Sequence, residues 1–221
     1  MFFRLKSFLE VCSLSFGYPK KKPLFEKVSF SIQEGEKVAL RGTNGSGKTT
    51  LFRVLMGLLV PTEGEILLEG IPVRTSSQWR HFRNTVGLLF QDSEDQLFCP
   101  TLLEDVAFGP RNMGIPPEEV RRRSLEVLDY LDIRHHAASP PHTLSGGEKK
   151  LAALGTLLSM KPRLMLLDEP ATALDEKAKE RLVRVLREFP GMLWVASHDD
   201  VFLRNVTERE LWLQSGKLVS P

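Results

Sequence analysis

The chain has 221 residues, of which 42% are hydrophobic and 26% are charged. At roughly 150 residues per domain this length fits one or two domains, and the composition excludes a disordered chain, a collagen-like fibre and a coiled coil. A net charge of +2 is too small to argue by itself for a nucleic-acid or anionic-membrane partner.

The N-terminal residues Met1–Lys6 lack the apolar block and the small-residue cleavage site of a signal peptide. The longest apolar run, 54–60, is much shorter than the roughly 20 residues of a membrane-spanning helix, so we expect no spanning segment. Cys12 and Cys99 lie far apart without metal-ligating neighbours. We interpret them as reduced thiols of a cytosolic protein in preference to a disulfide.

Short segments of alternating apolar and polar residues open the chain. Segments 9–16 and 28–32 predict strands, with a Tyr18–Pro19 turn between them. Glu34–Gly35 then turns the chain into a further strand over 37–40. The N-terminal part is therefore predicted to start as an antiparallel β layer.

The strand over 37–40 leads into a glycine-rich loop and then a helix. Apolar residues recur at helical spacing from Leu51 to Leu58, which predicts an amphipathic helix directly after the loop. Segments 66–68 and 86–90 return to the apolar character of strands.

The region from Thr101 to Met160 is helical in pattern. Thr101–Glu104 and Ser145–Glu148 fit the capping box of a helix start, and Pro116–Glu119 is also typical of one. A loop around 138–141 interrupts these helices. The pattern predicts a helical insertion within an α/β core.

The last part of the chain returns to strands. Segments 164–168 and 192–197 are short apolar runs typical of buried parallel strands, and a charged helix over 176–188 separates them. A hairpin-like segment over 211–218 follows.

Residues Gly42–Thr49, with the sequence GTNGSGKT, match the phosphate-loop pattern between a strand and a helix. Glycines let successive N–H groups face phosphate oxygens, and the helix N-terminus adds partial positive charge. Lys48 is predicted to contact the β- and γ-phosphates and Thr49 to ligate Mg²⁺. The alternative is a chance glycine turn with a solvated lysine. The predicted nucleotide contacts are Gly42, Thr43, Asn44, Gly45, Ser46, Gly47, Lys48, Thr49 and Thr50.

Two acids, Asp168 and Glu169, end the apolar strand over 164–168. A buried strand avoids unpaired carboxylates because their desolvation is costly, so this placement indicates a function. Asp168 is predicted to reach the magnesium ion, and Glu169 to polarise the attacking water as the catalytic base. The alternative is that both acids are solvated caps of a turn.

Polar residues also follow two other predicted strands. His198 comes after the strand over 192–197, at the edge where ligands bind in parallel sheets, and is predicted to contact the γ-phosphate. Gln91 ends the strand over 86–90 and is a candidate ligand of the magnesium ion or of the water.

With the segment Leu144-Ser-Gly-Gly-Glu148, these motifs resemble the ATP-binding subunit of ABC transporters. By itself this segment is only a capped helix start. The resemblance covers nearly the whole chain and implies one ABC ATPase domain over 1–221, in the P-loop NTPase α/β class. It implies a nucleotide-binding core over 1–92 and 161–221, which includes the antiparallel β layer, and a helical subdomain over about 93–160.

The resemblance also implies a head-to-tail dimer, in which Ser145 and Gly147 of one chain close on ATP held by the other. Tyr18 matches the aromatic that stacks on adenine, and the alternative is a core residue at a strand end. Gln91, His198 and Asp175 match, in turn, the family's loop glutamine, its switch histidine and an acid at the dimer seam. Two positions depart from the family pattern. They are Leu151, where many members carry arginine, and Ala171–Thr172 after the acids.

A finer resemblance involves segments Phe90–Phe98 and Glu104–Pro110, which are similar to the ATPases of cobalt, nickel and energy-coupling-factor vitamin importers. It implies a peripheral protein on the cytoplasmic face of the membrane. Its implied partners are a second ATP-binding subunit, a transmembrane coupling subunit and a membrane substrate-binding subunit. The implied contact surface is the region from Asp92 to Met113.

Two other classes of function share the phosphate loop. Nucleic-acid-associated ABC ATPases need long coiled-coil insertions or two cassettes, and the near-neutral charge fits them poorly, so we expect no nucleic-acid partner. A small-molecule kinase has no use for Leu144–Glu148 or for acids as late as Asp168 and Glu169. The run Arg121–Arg123 is interpreted as a solvated helix face.

Overall fold

The computed structural model describes residues 7–219, in which strands and helices build two sheets. The strands are β1 (Ser7–Phe16), β2 (Phe25–Gln33), β3 (Lys37–Arg41), β4 (Glu63–Leu68), β5 (Ile71–Pro72), β6 (Val86–Leu89), β7 (Leu164–Asp168), β8 (Met192–Ala196), β9 (Arg209–Gln214) and β10 (Lys217–Val219). The helices are α1 (Lys48–Leu55), α2 (Ser76–Thr85), α3 (Leu102–Asn112), α4 (Pro117–Tyr130), α5 (Gly146–Leu158), α6 (Glu176–Glu188) and α7 (Asp200–Val206).

The larger sheet has the strand order β10-β9-β3-β8-β7-β6. Strands β9, β3, β8, β7 and β6 pair in parallel, and β10 adds to β9 as the predicted antiparallel hairpin. Every residue of β7 and β8 is buried, as expected for parallel strands covered on both faces. The predicted α/β class with a mostly parallel sheet is confirmed.

The smaller sheet is antiparallel, with the order β2-β1-β4-β5. It confirms the predicted antiparallel layer for segments 9–16 and 28–32. The prediction is wrong for 37–40, which is β3 and pairs in parallel with β8 and β9. Three consecutive buried residues in β3, Val38 to Leu40, explain the difference, because a strand in the middle of the larger sheet is covered on both faces.

Two apolar clusters lie on opposite faces of the larger sheet. Side chains alternate along β8, so that Trp194 belongs to the cluster shared with the smaller sheet and α1, while Leu193 belongs to the cluster under the helices. The Trp194 ring lies 4.5 Å from Phe30 and 5.3 Å from Phe52 of α1, measured between centroids. These contacts hold α1, and therefore the loop before it, between the two sheets.

Helix α1 is shorter than the apolar spacing predicts. It ends at Leu55, Gly57 follows with a φ of 68°, and the Leu58 side chain is 52% exposed outside the helix. The left-handed conformation at Gly57 ends the helix there, so the prediction is wrong for Leu58. The charged helix predicted over 176–188 is confirmed as α6.

Helices α3, α4 and α5 lie between β6 and β7 in the chain, although β6 and β7 are paired neighbours in the sheet. The predicted capping boxes are present, with Thr101 and Glu104 at α3 and Ser145 and Glu148 at α5. Pro117 occupies the first position of α4. The helical segment therefore leaves the sheet and returns to it at adjacent strands.

Within residues 7–219, every helix is too short or too polar to cross a bilayer. Both Cys12 and Cys99 are free thiols. Burial, followed by the nearby Asp105, raises the pKa of Cys99 to about 11, so this thiol is protonated at neutral pH.

Candidate functional site

The phosphate-loop sequence forms a tight turn between β3 and α1. Gly42 and Gly47 have φ values of 154° and 105°, and Gly47 caps α1 in the left-handed conformation. A Cβ on Gly42 would lie 2.6 Å from the Leu213 carbonyl oxygen. Glycine is therefore required at both positions, and the loop places the unpaired N–H groups of the first turn of α1 at its mouth.

The Lys48 side chain curls back over this loop. It is 7% exposed, and its Nζ donates to the carbonyl oxygens of Gly42 at 2.7 Å and Thr43 at 3.3 Å. A buried ammonium group beside a helix N-terminus makes the loop a concentrated positive site. Such a site is suited to phosphate.

Asp168 ends β7, and the Thr49 side chain is near enough to lower its pKa against the effect of burial. The carboxyl is 3% exposed, and within residues 7–219 no donor reaches its Oδ1. Burial raises the pKa of Asp168, and the charge of Glu169 raises it further. An unpaired buried oxygen is costly without a ligand, and carboxylate and hydroxyl oxygens suit a magnesium ion. The residues present therefore fit the predicted metal.

Glu169 follows in the left-handed conformation, with a φ of 47° and a residue exposure of 8%. Its Oε2 accepts hydrogen bonds from Ser197 Oγ at 3.2 Å and Thr172 Oγ1 at 3.4 Å, and lies 3.0 Å from His198 Nδ1. The structure thus brings together the predicted pair Glu169 and His198. The sequence analysis missed the contacts of Ser197 and Thr172, because hydroxyl residues near strand ends carry no signal by themselves.

These groups line one cleft of about 440 Å³, within the usual range for small-molecule sites. Tyr18 lies at its rim, with its hydroxyl 3.2 Å from Thr50 Oγ1 and its ring edge-on to Phe16. Gly42 and Thr43 do not line the cleft, but their carbonyl oxygens accept the hydrogen bonds of Lys48 Nζ. The other predicted residues that line it are Asn44, Gly45, Ser46, Gly47, Lys48, Thr49, Thr50, Gln91, Asp168, Glu169 and His198.

Gln91 lies between this cleft and an adjacent groove that reaches Gly146. The backbone carbonyl oxygen of Gln91 accepts a hydrogen bond of 2.6 Å from Lys150 Nζ of α5. Lys150 is 5% exposed, and burial lowers its pKa. The sequence analysis assigned no role to Lys150, since a lysine pair in a charged segment resembles a surface feature. The contact joins α5 to the loop that carries Gln91.

The segment Leu144–Glu148 forms the N-terminus of α5. Glu148 Oε2 accepts hydrogen bonds from the Ser145 backbone N–H and hydroxyl, both at 2.8 Å. The Ser145 backbone and hydroxyl bonds, in that order, help hold the pKa of Glu148 at about 2. No residue of this segment lines the cleft among the described residues, and a Cβ on Gly146 would meet open space. Ser145 and Gly147 are therefore apart from the nucleotide loop of their own chain.

The remaining residues singled out from the sequence have structural contacts. The Asp175 side chain accepts a hydrogen bond of 2.8 Å from the Ala178 N–H and so caps α6. Leu151 is 2% exposed in the cluster under the helices, where an apolar side chain fits. Of the departing pair after the acids, Thr172 provides the contact to Glu169.

Comparisons with known proteins agree with this geometry. The family model described as "ABC transporter" matches residues 25–172. The chain is 40% identical over 216 residues to the energy-coupling factor transporter ATP-binding protein EcfA of Methanothermobacter thermautotrophicus, covering 96% of this chain and 70% of the relative. It is 39% identical over 215 residues to EcfA of Methanocaldococcus jannaschii, with coverages of 96% and 77%.

Two solved structures share the fold. CbiO1 of Clostridium perfringens, part of the ABC transporter complex CbiONQ, superposes with a TM-score of 0.83 at 31% identity, covering 97% of this chain and 87% of that one. An ATP-binding cassette solved as a dimer in a post-hydrolysis state with ADP and phosphate superposes with a TM-score of 0.85 at 26% identity, with coverages of 96% and 98%.

Proposed function

The chain belongs to the family of ABC transporter ATPases as an ATP-binding subunit, and we propose that it drives an importer of a metal ion (cobalt or nickel) or of a vitamin. The likeness to EcfA and CbiO1, together with the sequence resemblance in segments 90–98 and 104–110, supports this group of importers. The observation that carries the ATPase chemistry is the convergence of Lys48, Asp168 and Glu169 in one cleft.

In this proposal the loop residues from Gly42 to Thr50 hold the triphosphate, and Tyr18 stacks on adenine. The Lys48 ammonium exchanges its carbonyl partners for β- and γ-phosphate oxygens. Glu169 accepts a proton from the attacking water, and His198 contacts the γ-phosphate. Ser197 and Thr172 fix the orientation of the Glu169 carboxylate through the hydrogen bonds described above.

Thr49, Asp168 and Gln91 would hold the magnesium ion. The unpaired Oδ1 of Asp168 supports this assignment, as does the position of all three residues in one cleft. When bound, the ion neutralises charge on the phosphate oxygens.

We place the completed catalytic site at the seam between two copies or two related subunits. The cleft of one chain lacks the segment Leu144–Glu148, in which Gly146 borders open space at the N-terminus of α5. Ser145 and Gly147 of the partner supply the second set of phosphate contacts, and Asp175 lies at the seam. The similarity to a cassette solved as a dimer supports this arrangement.

A transmembrane coupling subunit docks on the region from Asp92 to Met113 in this proposal, so the chain works at the cytoplasmic face of the membrane. Phe98 and Phe108 support this surface, because they are 63% and 45% exposed and pack edge to face with centroids 4.9 Å apart. Exposed aromatic pairs are typical of interface anchors. The membrane substrate-binding subunit would contact the coupling subunit and determine the cargo.

The variant Glu169→Gln tests the proposal. It removes the base without removing a phosphate contact, so we expect it to bind ATP normally while hydrolysis falls by about 10²- to 10⁴-fold. We also expect ATP and Mg²⁺ to convert it into a dimer, measured by light scattering. In cells that carry the membrane partners, uptake of labelled cobalt, nickel and vitamins, assayed in parallel, should identify the cargo and disappear in the variant.

Two further variants serve as controls. Glu180→Gln changes an exposed glutamate of α6 and should leave binding and hydrolysis unchanged. Lys48→Ala should lose ATP binding, measured by titration with a fluorescent analogue. Hydrolysis at the wild-type rate in Glu169→Gln, or rapid hydrolysis by a protein that stays monomeric with ATP bound, would contradict the proposal.

A further inference from the structure

A cluster of metal-ligating side chains lies outside the nucleotide cleft. It consists of His135 and His136, on the short 3-10 turn Arg134–His136, and Glu148 in the first turn of α5. Each offers one ligand atom, and these atoms lie within 4.8 Å of one another. His135 is exposed and the other two are partly buried, so the cluster is open to solvent on one side.

The spacing is close to what a single ion requires. Ligand atoms about 2.1 Å from a tetrahedral Zn²⁺ stand about 3.4 Å apart. His136 Nε2 and Glu148 Oε1 are already 3.0 Å apart, and the two imidazole rings have centroids 4.1 Å apart. The remaining adjustment is small, and rotation of the exposed His135 side chain can supply it.

The carboxylate of Glu148 has one oxygen to spare for a metal. Its Oε2 holds the Ser145 cap, whereas its Oε1 contacts only His136 among the hydrogen bonds of the described residues. A metal bound to Oε1 therefore leaves the cap of α5 intact.

We propose that His135, His136 and Glu148 form a binding site for one divalent transition-metal ion, with Zn²⁺ as the reference ion. Two imidazoles and a carboxylate suit Zn²⁺ and similar ions better than Mg²⁺ or Ca²⁺, which prefer oxygen ligands. Solvent water completes the coordination on the exposed side. Occupancy joins the turn at 134–136 to the first turn of α5, the segment that carries Ser145.

The test uses the full chain without a purification tag and without nucleotide. Zn²⁺ is titrated at neutral pH against a chromophoric chelator, with excess Mg²⁺ present to occupy oxygen sites. We expect one Zn²⁺ per chain, an affinity at least about tenfold weaker in His135→Ala and His136→Ala, and a zinc-dependent rise in melting temperature that both variants lose. Glu148→Gln keeps the capping pattern and should also weaken binding, because an amide is a poorer ligand than a carboxylate.

Two histidine variants are matched controls. His142→Ala changes an exposed histidine three residues before Ser145, and His81→Ala changes one on α2, so both should bind Zn²⁺ like the wild type. Unchanged affinity in His135→Ala and His136→Ala would overturn the proposal and leave the cluster as a hydrogen-bonded pair of His136 and Glu148. Loss of the zinc affinity in His142→Ala alone would overturn it as well. Circular dichroism of each variant shows that it is folded.

Discussion

The nucleotide cleft and the N-terminus of α5 are the two regions that we propose to contact phosphate, and they differ in how far their polar groups are paired within one chain. In the cleft, as far as the described part of the chain goes, Asp168 is buried with an unpaired oxygen and the hydrogen bonds of Lys48 Nζ go to backbone carbonyls. At α5, Ser145 and Glu148 satisfy each other through a capping box, and Gly146 borders open space.

The buried, unpaired groups of the cleft lower the free energy of unfolding of the isolated chain, whereas the paired groups of the α5 segment raise it. The cleft holds charges whose burial a ligand must compensate, which is a common feature of functional sites. The α5 segment gains stability from its cap and, in the proposed dimer, would contribute to the chemistry only when another chain approaches. Substitutions in the two regions should therefore have opposite effects on the stability of the isolated protein.

The largest expected effect comes from breaking the two regions in different copies. Gly146→Trp should fold, since open space surrounds that position, but should impair the seam to which its own α5 segment contributes and lower hydrolysis by about 10²-fold or more. Mixed with Glu169→Gln, it forms dimers in which one seam has an intact cleft and an intact α5 segment. Phosphate release should then reappear on mixing two inactive samples.

Gly146→Ala is the matched control for this experiment, because a methyl group fits the open space and should preserve most of the activity. A mixture as inactive as its separate components, although both variants bind ATP, would show that the α5 segment does not act across the seam.

A second, smaller effect concerns the free-energy penalty of burying the Asp168 charge in the cleft. Asp168→Asn removes the buried charge while keeping the shape, so the free energy of unfolding of the nucleotide-free protein should rise by about 1 kcal/mol. Because the folded-state pKa of Asp168 is raised, the free energy of unfolding of the wild type should fall relative to that of Asp168→Asn as pH rises above the ordinary pKa of 3.8. Urea unfolding at several pH values measures this. The exposed acid variant Asp95→Asn should show no such gain, and a destabilised Asp168→Asn would refute this penalty.

The smallest expected effect is at the start of α5. Glu148→Ala removes the carboxylate that accepts hydrogen bonds from Ser145 in the capping box. It should lower the free energy of unfolding by about 0.5–2 kcal/mol, measured by urea unfolding. Glu148→Gln, which can still form a capping box, should lose less. Since the folded-state pKa of Glu148 is depressed, the advantage of glutamate over glutamine should be complete above pH 4.5 and should shrink as pH falls toward 2. Equal stability of Glu148→Ala and wild type at pH 7 would show that the cap is not stabilising.

Local patterns predicted much of the fold. The bounds of α6 and the capping boxes of α3 and α5 follow from short-range rules and are confirmed. Helix α2 was missed although Thr75 and Gln78 form a capping box, because the helix is polar overall and only its Phe82 is buried. Which sheet receives β3 depends on its distant partners β8 and β9, so a segment with few residues cannot reveal it.

In the candidate site, too, the sequence predicted the residues that local patterns mark and missed the contacts between distant segments. The residues of the glycine loop, Asp168 and Glu169 are set apart by type and position, and the sequence placed them at strand ends where the structure has them. The contacts of Lys150 with Gln91 and of Ser197 with Glu169 join segments distant in the chain. Such contacts depend on packing, and no local pattern specifies them.

The adjacency of β6 and β7 has a mechanical consequence. The helical segment α3–α5 is connected to the sheet through the neighbouring strands β6 and β7, whose register pairs Val86 with Leu164 and Leu89 with Leu167. Gln91 follows the carboxyl end of β6, where the helical segment leaves the sheet, whereas the segment returns at Leu164, the end of β7 opposite to Asp168. We therefore expect a tilt of the helices to reach the cleft through the departure point, in the loop that carries Gln91 and that Lys150 of α5 contacts.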